Sequence, residues 1–219
     1  MAGKILVVGS LHLDVIVHSS RLPKPDETLL GDNVSYRFGG KGGNQALAAA
    51  KIDVQVFMAG RIGTDNFGKQ IYDTLSNQNI NLDGLKMVDE ATGMSVALIG
   101  SDGIYCAVVV SGANQTIDLS EIAVPDDLTV LVLQNEINTD ANFEIIKKVP
   151  KSTFIILNAA PALTPNKDFF ERIDLLVVNQ LEAKMLLNEE PSIFNNLDAL
   201  RKLQNCLLYT SDAADDSLR

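Results

Sequence analysis

The chain is poor in cysteine, in basic residues and in long apolar runs, and each shortage narrows what it can be. Two cysteines in 219 residues, Cys106 and Cys206, have neither metal-ligand spacing nor the density of a disulfide framework, so a reducing compartment suits both. Eighteen Lys and Arg against 28 Asp and Glu give a net charge of −10 with no basic stripe, which argues against nucleic acid or an anionic membrane surface as partner. No apolar stretch reaches the length that spans a bilayer, and the first, residues 4–8, is halted by Gly9, so no signal peptide is read there. A cytoplasmic protein is the expectation. Internal repeats and low-complexity segments are also lacking. What remains, 46% hydrophobic and 21% charged, is the balance of a soluble domain long enough for one substantial core.

The rest of the chain is arranged around residues 38–50, Phe-Gly-Gly-Lys-Gly-Gly-Asn-Gln-Ala-Leu-Ala-Ala-Ala. Gly39, Gly40, Gly42 and Gly43 let a ligand approach the main chain, and Ala46 to Ala50 carry high helix propensity. The glycines are therefore expected to form a loop that empties into a helix N-terminus. That end offers unpaired backbone N–H groups and partial positive charge, with Lys41 and Asn44 as the long polar side chains able to orient a ligand. A polyhydroxyl compound or an anion would suit it. Two better-known glycine loops are excluded, because no Gly-Lys is followed by Ser or Thr, and Gln45 stands where the dinucleotide fingerprint needs its third Gly. A flexible turn before a helix is the competing reading, and four glycines around one lysine weigh against it.

Along the chain, residues 4–8 read as a buried first strand, and 12–18 and 28–38 as two strands of a small, half-exposed sheet. Asp14 falls just after the first strand, where ligands of parallel sheets collect, although a lone Asp is more commonly a solvated loop carboxylate. Residues 54–59 read as a strand, 60–64 as a loop, and 65–78 as a helix with Thr64 or Asp65 as N-cap. Residues 94–100 and 104–110 form a hairpin across Asp102-Gly103, with Tyr105, Val108 and Val110 read as sheet core in preference to the underside of a lid. Beyond it strands (128–133, 153–157, 174–178) alternate with helices (138–148, 181–187, 196–203), the pattern of a parallel α/β sheet. Its carboxyl ends deliver Glu136, Asn158 and Asn179.

The end of the chain is read apart. Residues 206–216, Cys-Leu-Leu-Tyr-Thr-Ser-Asp-Ala-Ala-Asp-Asp, reverse-translate in frame into a transposon-type sequencing adapter, so residues 206–219 are read as an adapter tail and the natural chain is expected to continue past Asn205. Removing that stretch takes out three Asp and one Arg and leaves the chain acidic.

Several blocks lie in one register: Gly9-Ser10 with Asp14, Phe38 to Gln45, Gly63-Thr-Asp-Asn-Phe-Gly68, Ser111-Gly-Ala-Asn114, Gln134-Asn-Glu136 and Asn179-Gln-Leu-Glu182. Together they resemble the ribokinase-like carbohydrate kinases, also called the phosphofructokinase B type, over residues 4–203. The resemblance implies a three-layer α/β domain over residues 1–205, incomplete at its C-terminal side. A discontinuous β-sheet lid, about 12–38 and 93–111, would pair two subunits into a dimer. It further implies a sugar floor of Gly40, Lys41 and Asn44, with Asp14 and Glu136 accepting hydrogen bonds from sugar hydroxyls. Asn179 and Glu182 would organise ATP phosphates and Mg²⁺, with Glu182 toward the metal through water, although the same pair also fits a helix cap with its capping-box partner.

The implied reaction is transfer of the ATP γ-phosphoryl group to a hydroxyl of a pentose or hexose, ribose first. The family's base, the Asp of a Gly-Ala-Gly-Asp motif, is absent from this sequence, as are the purine pocket and the monovalent-cation loop expected of a full-length protein. As written the chain is expected to be inactive or nearly so. A second departure is His12, which stands where the family pattern has Asn. Imidazole supplies only part of an amide's donor and acceptor set, so a ligand contact and a bystander loop histidine stay equally open. Two other functions compete: a non-catalytic sugar-binding or regulatory protein, and a dinucleotide-dependent oxidoreductase, which lacks its three-glycine fingerprint after the first strand.

Overall fold

The computed structural model describes residues 3–163, 167–187 and 207–209, and the first apolar run is its centre. β1 (Lys4–Val8) lies between β4 (Gln55–Gly63) and β8 (Val130–Gln134), parallel to both. A strand flanked on both sides and covered on both faces must be apolar throughout, which is why the run does not alternate. Leu6 and Val8 enter one core with Leu131, Leu133, Ile155 and Leu157, while Val7 enters the other with Ala46, Ile71 and Leu75. Three layers follow from that alternation. α1 (Lys41–Ala49) and α2 (Asn66–Ser76) feed the second core, and α3 (Thr139–Lys148), α4 (Lys167–Glu171) and α5 (Gln180–Leu187) lie on the side of the first.

The large sheet is completed by β5 (Ile80–Val88), β9 (Phe154–Asn158), β10 (Leu175–Val178) and β11 (Leu207–Tyr209), in the order β11-β10-β9-β8-β1-β4-β5, all parallel. The order runs outward in both directions from β1 and β8. Between those two strands lies the switch point, where parallel sheets open a crevice at their carboxyl ends. The second sheet has the order β3-β2-β6-β7, from β2 (His12–Ser19), β3 (Asn33–Gly39), β6 (Gly93–Gly100) and β7 (Tyr105–Val110). Its central pair, β2 and β6, is parallel, and the edge strands are antiparallel. Among the described residues no helix is long and apolar enough to cross a membrane.

Two expectations are corrected, and one strand is added. Residues 60–64 are mostly strand, because β4 runs on to Gly63 and buries Arg61, whose guanidinium donates to Gly60 O at 2.9 Å, to Asp118 O at 3.2 Å and to Glu121. Strand β5 was not anticipated, since its alternating polar residues leave a weak apolar signal at a sheet edge. Tyr105, Val108 and Val110 are not core: all of β7 is exposed, because no layer covers that edge of the small sheet. Asp14 lies inside β2, as the strand reading of 12–18 has it, opposite Arg37 and Ser95. The helix expected at 196–203 lies outside the described residues, as does the tail apart from 207–209.

Candidate active site between the two sheets

An open cleft of about 430 Å³ lies where the carboxyl ends of the large sheet meet the base of the small one, with His12, Lys41, Glu136 and Glu182 in its walls. Each arrives from a different element. His12 opens β2, Lys41 opens α1, Glu136 follows β8 and Glu182 lies in the first turn of α5.

The glycine stretch forms a tighter structure than a loop. α1 begins at Lys41, so Gly42 and Gly43 lie inside its first turn, where each costs about 1 kcal/mol relative to Ala. Close approach explains their presence: a Cβ on Gly42 would stand 2.7 Å from Gly9 C and Ser10 N. Gly40, the N-cap, has φ +88°, and a Cβ there would stand 2.7 Å from Ser10 O. The helix start is thereby pressed against Ser10.

The N–H groups at that start are not vacant, so of the two ligands expected there, a polyhydroxyl compound or an anion, the second is disfavoured. Lys41 N–H donates to Glu136 Oε2 at 3.0 Å, and Gly43 N–H donates to Ser10 O at 3.0 Å. Ser10 Oγ also donates to Glu136 Oε2, and Lys41 Nζ lies 3.7 Å from Oε1. A carboxylate of the protein itself occupies the positive end of the helix, satisfying its orphan donors as an anion would. Glu136 Oε1, still facing Lys41, is an acceptor suited to neutral hydroxyls more than to a second anion.

Asp14 lies on the same face of β2 as His12, two residues on, and its Oδ1 accepts from Ser95 Oγ at 2.5 Å. Asn44 has an exposed side chain on the first turn of α1, its backbone N–H donating to Gly40 O at 3.0 Å. Asn179 and Glu182 form a reciprocal capping box at α5: Asn179 N–H donates to Glu182 Oε2 at 2.9 Å, and Glu182 N–H donates to Asn179 Oδ1 at 2.8 Å. Glu182 also reaches the cleft. Lys41, Glu136 and Glu182 are thus brought to one cavity, while Asp14, Gly40, Asn44 and Asn179 are not among the residues that line it.

His12 is in a strand, not a loop, and is 4% exposed with Nε2 unpartnered. Burial pushes its pKa below 6.5, assisted by Lys41 and opposed by Glu136 and Asp14, so the ring is held toward its neutral form. Ser10 and Asn114 are the residues whose roles sequence reasoning missed. Asn114 accepts from Leu11 N–H and donates to Leu11 O, both at 2.9 Å, pairing like a short strand with the residue before His12. Both stand in the quoted motifs, yet the partners that give them these roles, Glu136 and Leu11, lie 126 and 103 residues away, so no local pattern names them.

Residues 2–214 match the pfkB family carbohydrate kinase. The chain belongs to that family. It is 33% identical over 190 residues to the ribokinase of Bacillus subtilis (strain 168), over 84% of this chain and 65% of that one, so it spans just under two-thirds of that relative's length. Arabidopsis thaliana ribokinase complexed with ribose and ATP superposes with a TM-score of 0.84 at 29% identity, over 97% of this chain and 73% of that one. The ribokinase of Cryptococcus neoformans var. grubii serotype A, in complex with ADP, gives a TM-score of 0.81 at 27% identity, over 97% and 74%. A pfkB-family fold removes the footing of the dinucleotide reading, since the turn after β1 leads into strand β2 and not into the helix that a dinucleotide fingerprint requires.

Proposed function

We propose that this pfkB-family chain carries the sugar site of an ATP-dependent carbohydrate kinase, with ribose as first-choice substrate and the γ-phosphoryl group passing to a sugar hydroxyl. One observation carries the reading: the helix start that could hold an anion already holds Glu136, which leaves a cleft of fixed carboxylate and ammonium groups suited to hydroxyls. Glu136 and Asp14 accept from sugar hydroxyls, Lys41 donates, and Gly40 and Asn44 form the floor. A site of such groups rejects analogues that leave them unpaired.

Asn179 and Glu182 face the nucleotide side. Among the described residues no group of three or more His, Cys, Asp and Glu could hold a metal, so the fit is to Mg²⁺ held chiefly by water and phosphate, with Glu182 as its carboxylate. When bound, that ion neutralises charge on the transferring phosphoryl group. The sequence holds no Gly-Ala-Gly-Asp, and no residue is assigned to remove the hydroxyl proton.

A homodimer through the small sheet belongs to the same reading. Register places Tyr36, Val15, Val96 and Val108 in one row and Val34, Val17, Leu98 and Cys106 in the next, on the face away from His12 and Asp14. Tyr36 is 57% and Val108 67% exposed. A second copy would cover this apolar face by self-complementary contact.

Calorimetric titration with D-ribose, beside an assay of ADP release from Mg·ATP, tests the proposal. D-ribose binding without sugar-dependent ADP release is the outcome expected of this chain, and release would locate the base within it. No D-ribose binding, together with tight binding of a nicotinamide cofactor, would overturn the reading.

A further inference from the structure

Two side chains fasten the end of β8 to the same pair of neighbours. Glu136 reaches Ser10, just after β1, and Lys41, the first residue of α1. Gln134, two residues earlier, reaches the places next to these. Its Nε2 donates to Gln45 Oε1 at 2.6 Å, one helical turn on from Lys41, and its amide lies against Gly9, where a Cβ would stand 1.9 Å from Oε1 and 2.7 Å from Cδ. The strand end is held from α3 as well, because Asn142 Nδ2 donates to Gln134 O at 2.6 Å. Gln134 is completely buried, yet its Oε1 has no partner. Leu131 and Leu133 fill equally buried places on the same strand with apolar carbon. A Met of similar size would plug the strand end without leaving an acceptor unpaired, so packing alone does not account for the amide.

We propose that Gln134 is a positioning residue of the sugar site, which through Gln45 and Gly9 sets the first turn of α1 against β8 and so holds Glu136 in one orientation. The inference rests on the sugar-kinase reading and deepens it. What the amide adds to the contact is direction. The apolar packing of Val132 against the cluster that holds Ala46 is non-directional, whereas a hydrogen bond of 2.6 Å fixes where the helix stands along the strand. That register is the one in which Glu136 Oε2 meets Lys41 N–H at 3.0 Å. A carboxylate already held in place accepts a sugar hydroxyl without being ordered at the moment of binding.

Three variants of the full chain separate positioning from packing. Gln134→Met keeps the bulk and removes the amide, Gln45→Leu removes its acceptor, and Gln45→Glu keeps an acceptor there. Each is followed by thermal melting, by calorimetric titration with D-ribose, and by NMR hydrogen exchange of the Lys41 amide, whose proton sits on Glu136. Gly43 N–H, held by Ser10 O, serves as the internal reference. Gln134→Met and Gln45→Leu should weaken D-ribose about tenfold and speed exchange at Lys41 about tenfold relative to Gly43, and Gln45→Glu should retain most of both. An unchanged ratio of Lys41 to Gly43 exchange in the folded variants would overturn the positioning role, since a general loss of stability moves both amides together. Equal losses in Gln45→Leu and Gln45→Glu would overturn it too. If Gln134→Met does not fold, the Gln45 pair decides, because that side chain is only half-buried. A wild-type chain that takes up no D-ribose would sink the sugar reading, while the exchange ratio still decides whether Gln134 positions Glu136.

Discussion

Lys41 holds Glu136 twice, by a backbone N–H at 3.0 Å from Oε2 and by an ammonium 3.7 Å from Oε1. The two holds are unequal. The first is a hydrogen bond to a charged acceptor fixed by the helix start, and the second is a long contact between side chains that both keep some solvent exposure. Removing the ammonium in Lys41→Ala should cost less than about 1 kcal/mol of stability, because such ion pairs are weak. Glu136→Gln removes the charge from both holds and should weaken D-ribose about 10- to 100-fold, read by calorimetry.

Gly40→Ala is a test of the backbone alone. Its φ of +88° and the 2.7 Å approach of a new Cβ to Ser10 O leave alanine no unstrained solution. A loss of at least about 1–2 kcal/mol is expected in a denaturant titration, with D-ribose binding falling more than for a surface Gly103→Ala control. Gly103 also has positive φ but meets nothing within 4 Å, so the difference reports the contact with the backbone of Ser10, Leu11 and His12.

Asp65 should set the acid limb of stability. It caps α2 through Gly68 N–H at 2.8 Å and accepts from both the backbone and the hydroxyl of Thr92, which roots β6. Burial works against its charge, but these hydrogen bonds outweigh it and hold its pKa below 3.8. A depressed folded pKa gives stability that is fully present above the ordinary value and lost as pH falls through the folded one. Thermal melts in the acid range should therefore steepen for the wild type below 3.8, and Asp65→Asn should be less stable near neutrality with a flatter acid limb.

The capping box at α5 separates helix stability from metal binding. Glu182→Gln keeps an acceptor for Asn179 N–H, since Gln serves in capping boxes, but removes the charge. Its melting temperature should stay near that of the wild type while Mg²⁺-dependent nucleotide binding falls. Asn179→Ala should instead cost about 1 kcal/mol of stability.

Val108→Asp puts a charge on the exposed face of the small sheet, in its edge strand β7. Sedimentation should show a shift from dimer to monomer with little change in melting temperature at low concentration. An unchanged dimer would place the interface elsewhere.

How much of this was legible beforehand depended on the range of the forces involved. The run at residues 4–8, the Asp102-Gly103 hairpin, the Asp65 cap and, as far as residue 187, the expected strands and helices of the α/β alternation are local signals, and each appears where the pattern put it, within a residue or two. Residues 60–64 misled because Gly, Arg and Thr read as a turn, while the Arg61 guanidinium is buried by acceptors from residues 118 and 121 that no local window contains. The site was half legible in the same sense. Lys41, Glu136 and Glu182 could be named from motifs, but that a carboxylate 95 residues away would fill the helix start, favouring a polyol over an anion where the sequence left both open, is a fact of tertiary structure.

The switch point between β1 and β8 has a temporal side. Ser10 and Lys41 belong to the half of the sheet that the chain builds first, and Glu136 to the half that it builds afterwards. At the helix start Gly43 N–H is held by Ser10 O within the first half, whereas Lys41 N–H finds its acceptor only where β8 pairs with β1. A ligand of this cleft recognises the joined halves and neither alone, so its binding is linked to the whole sheet, and sugar in solution should raise the resistance of distant strands to proteolysis as much as that of the cleft itself.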